Sequence, residues 1–194
     1  RGQAGLFDVS HMGEVRVQGP DAFAFVQQVT TNDVSKLVDG QCQYSLLCYP
    51  SGGVVDDLLL YKKSEHDYLL VINASNIDKD IAWLQQHLTG QVELTNISEE
   101  TALLALQGPK AKDILARLTD APLDALKTFH FLNEVNVGGV TTLLSRTGYT
   151  GERIAYEVFP HPDNAQALFK KLIELGATPC GLASRDSLRI EAGL

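Results

Sequence analysis

The sequence predicts an α+β fold: a β-α-β-β-β-α unit present twice, with mostly antiparallel sheet and the two copies related by a pseudo-twofold axis. Three recurrences carry this reading. The stretches VRVQGPDAFAFVQQVT (15–30) and LLALQGPKAKDILARLT (103–119) each read as strand, Gln-Gly-Pro, then an amphipathic helix. The stretches YPSGGVVDDLLLY (49–61) and VNVGGVTTLLSRT (135–147) each place Gly-Gly before a strand. DYLLVIN (67–73) precedes the helical NIDKDIAWLQQHL (76–88), and AYEVFP (155–160) precedes the helical PDNAQALFKKLIEL (162–175). The offsets run from about 86 to 89 residues throughout, and self-similarity at a near-fixed period marks an internal repeat. Strands arriving in hairpin runs imply antiparallel pairing, hence α+β.

Each element has its local reason. Pro20 and Pro109 suit a first helical turn, where the missing N–H costs nothing. Phe23, Val26 and Val29 form the apolar stripe of the first helix, and Ile114, Leu115 and Leu118 that of its counterpart. A leftover helix, LASRDSLRIEA (182–192), starts with Ser184, Asp186 or Ser187 near its first turn as capping candidates. The repeats are expected at 1–100 and 101–194, the second including the start of a linking helix.

Composition narrows the class. The 194 residues hold 44% apolar and 21% charged side chains, as a soluble globular protein does, with a net charge of −8. An acidic chain without a basic, aromatic-interleaved cluster is not built for nucleic acid. No apolar run approaches the length of a membrane span. Cys42, Cys48 and Cys180 are an odd count without CxxC spacing, and the five histidines are scattered. Neither a disulfide framework nor a metal site is expected, and a reducing, cytoplasmic setting fits. The chain starts at Arg1 without Met and stops at Leu194 in mid-pattern, which reads as a piece of a longer chain.

The stretch GGVVDDLLLY (52–61) poses the chemical question, because Asp56 and Asp57 interrupt an apolar, β-branched run. Consecutive strand residues point to opposite faces, so the two acids separate. Asp56 lies nearer the turn and reads as structural; Asp57 lies deeper and is the functional candidate. Its counterpart in the other repeat is Thr142 or Leu143, so the acids belong to one half only. TGYTGE (147–152) is a glycine-rich turn in which Tyr149 offers a flat apolar face with a hydroxyl. Glu157 alternates with Tyr156 and Val158 and is either a solvent-facing residue or a binding group. Arg185 and Arg189 share a helix face, with Glu191 as a partner for either. His11 and Met12 precede a strand.

Together, AGLFDVSHMGE (4–14), TNDVSKL (31–37), GGVVDDLLLY (52–61), VINASNIDKD (71–80), LLALQGPKA (103–111), SRTGYTGE (145–152) and GLASRDSLRIEAGL (181–194) resemble the glycine-cleavage T-protein family of aminomethyltransferases. The resemblance runs along the whole chain. It implies transfer of a one-carbon unit from the aminomethyl-dihydrolipoyl arm of a partner H-protein to tetrahydrofolate, with release of ammonia and without a metal. It implies that Asp57 stands by the reacting folate nitrogens. Glu157 then holds the pterin, with Arg185 in the same polar shell. Tyr149, Tyr44 and Met12 line the folate slot, and Val71 and Asn73 add contacts. The family reads one residue shorter between GYTGE and the pterin glutamate than GERIAYE does here, with Glu152 as the other candidate anchor. The family's opening segment and C-terminal barrel domain are expected to lie outside this stretch. Its location is expected to be cytoplasmic, or the mitochondrial matrix in a eukaryote. Two other families share the fold. Folate-binding proteins of iron–sulfur maintenance carry a KGC…GQE stretch that is absent here. Sarcosine- or dimethylglycine-demethylating flavoproteins place such a region behind a flavin domain.

Overall fold

Alternating apolar positions and glycine-marked turns produce eleven strands, and the helical stripes produce five α-helices. The computed structural model describes residues 1–194. In chain order these are β1 (Gly5–Asp8), β2 (Gly13–Gln18), α1 (Ala22–Val29), β3 (Gln41–Cys48), β4 (Val54–Ser64), β5 (Asp67–Ile72), α2 (Ile77–Gln86) and β6 (Glu93–Asn96). There follow β7 (Leu104–Gln107), α3 (Ala111–Leu115), β8 (Phe131–Val137), β9 (Val140–Ser145), β10 (Ala155–Phe159), α4 (Pro162–Glu174), β11 (Thr178–Cys180) and α5 (Leu182–Glu191). The order β-α-β-β-β-α therefore occurs twice, from β2 to α2 and from β7 to α4.

The chain divides into two units, residues 11–99 and residues 1–10 with 100–194. In the first, five antiparallel strands lie in the order β3-β4-β5-β2-β6. Val15, Val17, Leu58, Leu60, Leu70 and Ile72 on one sheet face pack with Phe25 and Val26 of α1 and Leu84 of α2. In the second, six strands lie in the order β11-β1-β7-β10-β9-β8, and only β1 and β11 run parallel. There Leu6, Leu106, Leu144, Tyr156 and Val158 pack with Leu115 of α3 and Leu168 and Leu172 of α4.

The first ten residues, read with the first repeat, pair in the sheet of the other unit. The Gln-Gly-Pro turns show why. Gly19 and Gly108 both have left-handed φ, 134° and 129°. A Cβ on Gly19 would lie 2.1 Å from the Gln91 carbonyl oxygen, ahead of β6; one on Gly108 would lie 2.3 Å from that of Gln3, ahead of β1. Each turn needs glycine so that a neighbouring strand can pass against it. In one unit that neighbour comes from the end of the repeat; in the other the start of the chain supplies it.

Two helix-start expectations are corrected. Pro20 and Pro109 stand in the turns ahead of α1 and α3, which begin after Asp21 and Lys110. The pinned glycine turn delays the helix. For α5, Gly181 is the N-cap residue and no side chain caps it.

Candidate functional site

Asp56 and Asp57 point to opposite faces of β4, as consecutive strand residues do, and a bulge adjoins them at Val55. β3 pairs Leu47 with Asp56 but Cys48 with Val54, so Val55 is the extra residue. Val55, Leu58 and Leu60 all reach the helix-side core, and Asp56, in step with Leu58 and Leu60, turns the same way. The bulge re-aims Val55 to the side that Asp56 already faces. Asp56 is thus the more buried acid and Asp57 is half-buried, the reverse of the depths that the sequence suggested.

Buried Asp56 is well supplied with donors. Its Oδ1 accepts from the Asp57 amide at 2.9 Å and from Asn73 Nδ2 at 3.0 Å, and its Oδ2 from Asn76 Nδ2 at 2.9 Å. Burial pushes its carboxyl up, but hydrogen bonds from Asp80, Asn76, Asn73 and the Asp57 amide outweigh burial and hold it below the ordinary aspartate value. Asn73 Nδ2 also donates to Asp57, to Oδ1 at 2.7 Å and to the carbonyl at 3.1 Å. One amide therefore ties both acids to the end of β5. All its neighbours are acceptors, which determines the amide's orientation.

On the sheet face opposite the helices, register sets Tyr44, Leu59, Val71 and Glu14 in one lateral row. Asp57 stands two residues along β4 on that face. Tyr44 is exposed, Val71 is buried and Met12 is half-buried just before β2. Five sequence candidates, Met12, Tyr44, Asp57, Val71 and Asn73, thus belong to the unit 11–99.

The other three gather in the second unit. Glu157 is 7% exposed in the middle of β10, so the solvent-facing reading is out. Its carboxylate accepts from Thr147 Oγ1, which lies 2.6 Å from Ser145 Oγ. Burial raises the Glu157 carboxyl above its ordinary value, against the opposing pull of the Thr147 hydroxyl and the Arg185 charge. The Arg185 guanidinium lies 4.8 Å above the Tyr149 ring and that of Arg189 lies 6.0 Å from it. Gly148 brings the loop down onto β7: a Cβ there would lie 2.3 Å from Gln107 Nε2. Gln107 Oε1 accepts from Thr150 Oγ1 at 2.5 Å. Glu152 pairs instead with Arg1, at 2.8 Å, beside a cavity of about 190 Å³ lined by Arg1, Gln107, Thr150, Glu152 and Leu188 among others. Glu191 pairs with Arg1 at 3.0 Å, and Arg189 with Asp186 at 2.8 Å. The expected pairing of Glu191 with Arg185 or Arg189 does not occur, because Arg1 occupies it.

Sequence reasoning missed Asp80, Asn76, Glu14 and Thr147. A signal existed for Asp80: it shares the apolar stripe of α2 with Trp83 and Leu84, where a charge is out of place. Glu14 had none, since GEVRVQ alternates as a half-exposed strand would.

The family model of the GCVT N-terminal domain matches residues 1–194, the whole chain. The chain belongs to that family. It is 56% identical over its full length to the aminomethyltransferases of Bacillus subtilis (strain 168) and Halalkalibacterium halodurans, and spans 54% of each. Among solved structures it is similar to the glycine cleavage system aminomethyltransferase T from Bartonella henselae. That match has a TM-score of 0.89 and 36% identity, covering all of this chain and 52% of that one. The heterotetrameric sarcosine oxidase from Corynebacterium sp. U-96 matches with a TM-score of 0.64 at 16% identity, covering 90% of this chain and 86% of that one. This second likeness extends to the fold alone. The α+β architecture expected from the repeat is the architecture of this family.

Proposed function

We propose that the protein carrying this chain is an aminomethyltransferase. It takes the one-carbon unit from an aminomethyl group on the dihydrolipoyl arm of a glycine-cleavage H-protein, releases ammonia and forms methylene-tetrahydrofolate. Identity of 56% to aminomethyltransferases, in matches that cover the whole chain, supports the reading. The observation that carries it is the half-buried Asp57 carboxylate held by Asn73 at 2.7 Å. Loss of ammonia leaves developing positive charge on the transferred carbon. A carboxylate fixed before the reaction stabilises that charge without reorganising, better than mobile water does. The same oxygen pair orients the accepting nitrogen and assists its proton transfer.

The remaining residues suit a flat, partly polar heterocycle. Glu157 accepts two parallel N–H bonds from an aminopyrimidinone edge, with Arg185 and Tyr149 beside it. Met12, Tyr44 and Val71 supply apolar and aromatic surface. Asn73 donates its amide hydrogens to the two aspartates, which leaves its Oδ1 as an acceptor. The carrier and folate supply the bond chemistry; the protein supplies position and field.

The test uses the full-length protein with aminomethylated H-protein. Asp57→Asn should lower methylene-tetrahydrofolate production by about 100-fold or more, with tetrahydrofolate affinity kept within about twofold. Turnover at the normal rate would remove Asp57 from this role.

A further inference from the structure

Behind Asp57 lies a group that the proposed reaction has not used. Asp80, on α2, is 0% exposed, and neither of its carboxyl oxygens has a conventional hydrogen-bond donor. Lys79 Nζ approaches Oδ1 only to 3.7 Å and donates instead to the Val55 carbonyl at 2.6 Å. The neighbouring acceptor is a second carboxyl, that of Asp56: its Oδ2 accepts from Asn76, one helical turn before Asp80, and Lys79 bonds the Val55 carbonyl next to it in the chain. Two ionised carboxylates facing each other in a buried site repel, and neither can donate. A proton on one of them turns the contact into a strong O–H···O⁻ bond.

We propose that Asp80 keeps its proton and donates it to Asp56, and that this acid–carboxylate pair, through Asn73, positions the Asp57 carboxylate. The proposal rests on the aminomethyltransferase reading for what Asp57 does, but not for the proton itself. Asp56 is the one to ionise because Asn73, Asn76 and the Asp57 amide already donate to it. Asp80 has no such donors. Burial, followed by the neighbouring Asp56, pushes its carboxyl up to about 7, with Lys79 pulling the other way. The charged groups facing the pair are Lys79 from α2 and Asp57 from β4; Asn73 and Asn76 are neutral. Asp80 touches no reacting atom in this scheme, so it is a positioning residue. When it ionises, its donor is lost and a second negative charge faces Asp56. Asp56 then competes harder for the Asn73 amide that holds Asp57.

The experiment takes the full-length protein as wild type, Asp80→Asn and Asp80→Ala, with melting curves to confirm folding. Asp80→Asn keeps a donor to Asp56 and cannot ionise. First, in protein labelled with ¹³C at the aspartate carboxyls, which sets the glutamates Glu14 and Glu157 apart, infrared difference spectra between about pH 6 and about pH 8 should show loss of an isotope-shifted protonated-carboxyl carbonyl band in wild type, absent in Asp80→Asn. The ¹³C carboxyl resonance of Asp57 should show a step in the same range only in wild type. Neither readout needs turnover, so both decide the proposal even if the transfer reaction fails. Second, kcat should fall above about pH 7 in wild type and not in Asp80→Asn. Asp80→Ala should lose about tenfold in kcat or more, with the KM for tetrahydrofolate within about twofold. Absence of the band in wild type, its persistence in Asp80→Asn, or equal losses in Asn and Ala variants would each overturn the proposal. Should Asp80→Ala fail to fold, the wild-type and Asp80→Asn comparison suffices.

Discussion

At the scale of single residues, the molecule keeps several carboxyls in places where ionisation is costly, and this makes its stability depend on pH in a definite direction. Glu14 is 0% exposed, with both oxygens unpartnered, and burial pushes its carboxyl from 4.5 up to about 8. The folded chain therefore holds a proton that the unfolded chain releases. Its contribution to stability is complete below about pH 4.5 and is lost as pH rises through about 8. Asp80 acts in the same sense between 3.8 and about 7. Asp56, held low, acts in the opposite sense at the acid end. Glu14→Gln should flatten the decline in melting temperature between about pH 5 and about pH 8 relative to wild type. Parallel slopes in the two proteins would show that Glu14 is ionised when folded. The same row of side chains explains why the residue was missed. Its strand alternates as if one face were wet, and only the folded molecule shows that Glu14 on that face is covered.

At the scale of elements, the bulge in β4 and the turn from β5 into α2 act together. The bulge lies just beyond Asp56, whose pairing with Leu47 continues the regular register of β3 and β4, and it turns Val55 to the helix side beside Asp56. Asp56, in step with Leu58 and Leu60, meets the Asn73–Asn76 turn, while Asp57 stays on the opposite face. Asn73, at the end of β5, bonds both acids. Asn73→Ala should therefore leave two partly buried carboxyls short of a donor. The expected loss is about 1–3 kcal/mol of unfolding free energy, measured by urea denaturation of the 194-residue chain. A loss below about 0.5 kcal/mol would mean that water replaces the amide at both aspartates. The strands and helices here were legible from period and turn residues, nearly to their ends. The bulge was not, because nothing local in VVDDLLL distinguishes a bulged strand from a regular one.

At the scale of the whole molecule, the two units differ in how their sheets are completed. Residues 11–99 are one continuous stretch with a five-stranded sheet and a core of its own. The other unit takes β1 from the start of the chain and places it between β7 and β11. Residues 100–194 alone would leave the inner edge of β7 open and β11 without the strand it pairs with. The expectation is that a fragment of residues 11–99 gives dispersed amide resonances and cooperative melting. A fragment of residues 100–194 should not, until a peptide of residues 1–10 is added. Cooperative folding of 100–194 by itself would show that β1 is dispensable to that sheet. The repeat was visible in the sequence; the exchange of its first strand was not. Pairing partners are set by which edges remain open after the rest has folded.

The sequence by itself determined the doubling of β-α-β-β-β-α, the last helix and the family, though not β1, β6 or β11, because periodicity, glycine turns and motif spacing are local properties. It also singled out Asp57, Glu157 and Arg185 as candidates for chemistry. Only the tertiary structure decided which of two adjacent acids is buried, that Asp80 faces Asp56, and that Glu14 and Glu157 are dry. Burial and carboxyl contacts depend on which faces meet. Such meetings join residues far apart in the chain, and a single strand or helix carries no record of what will cover it.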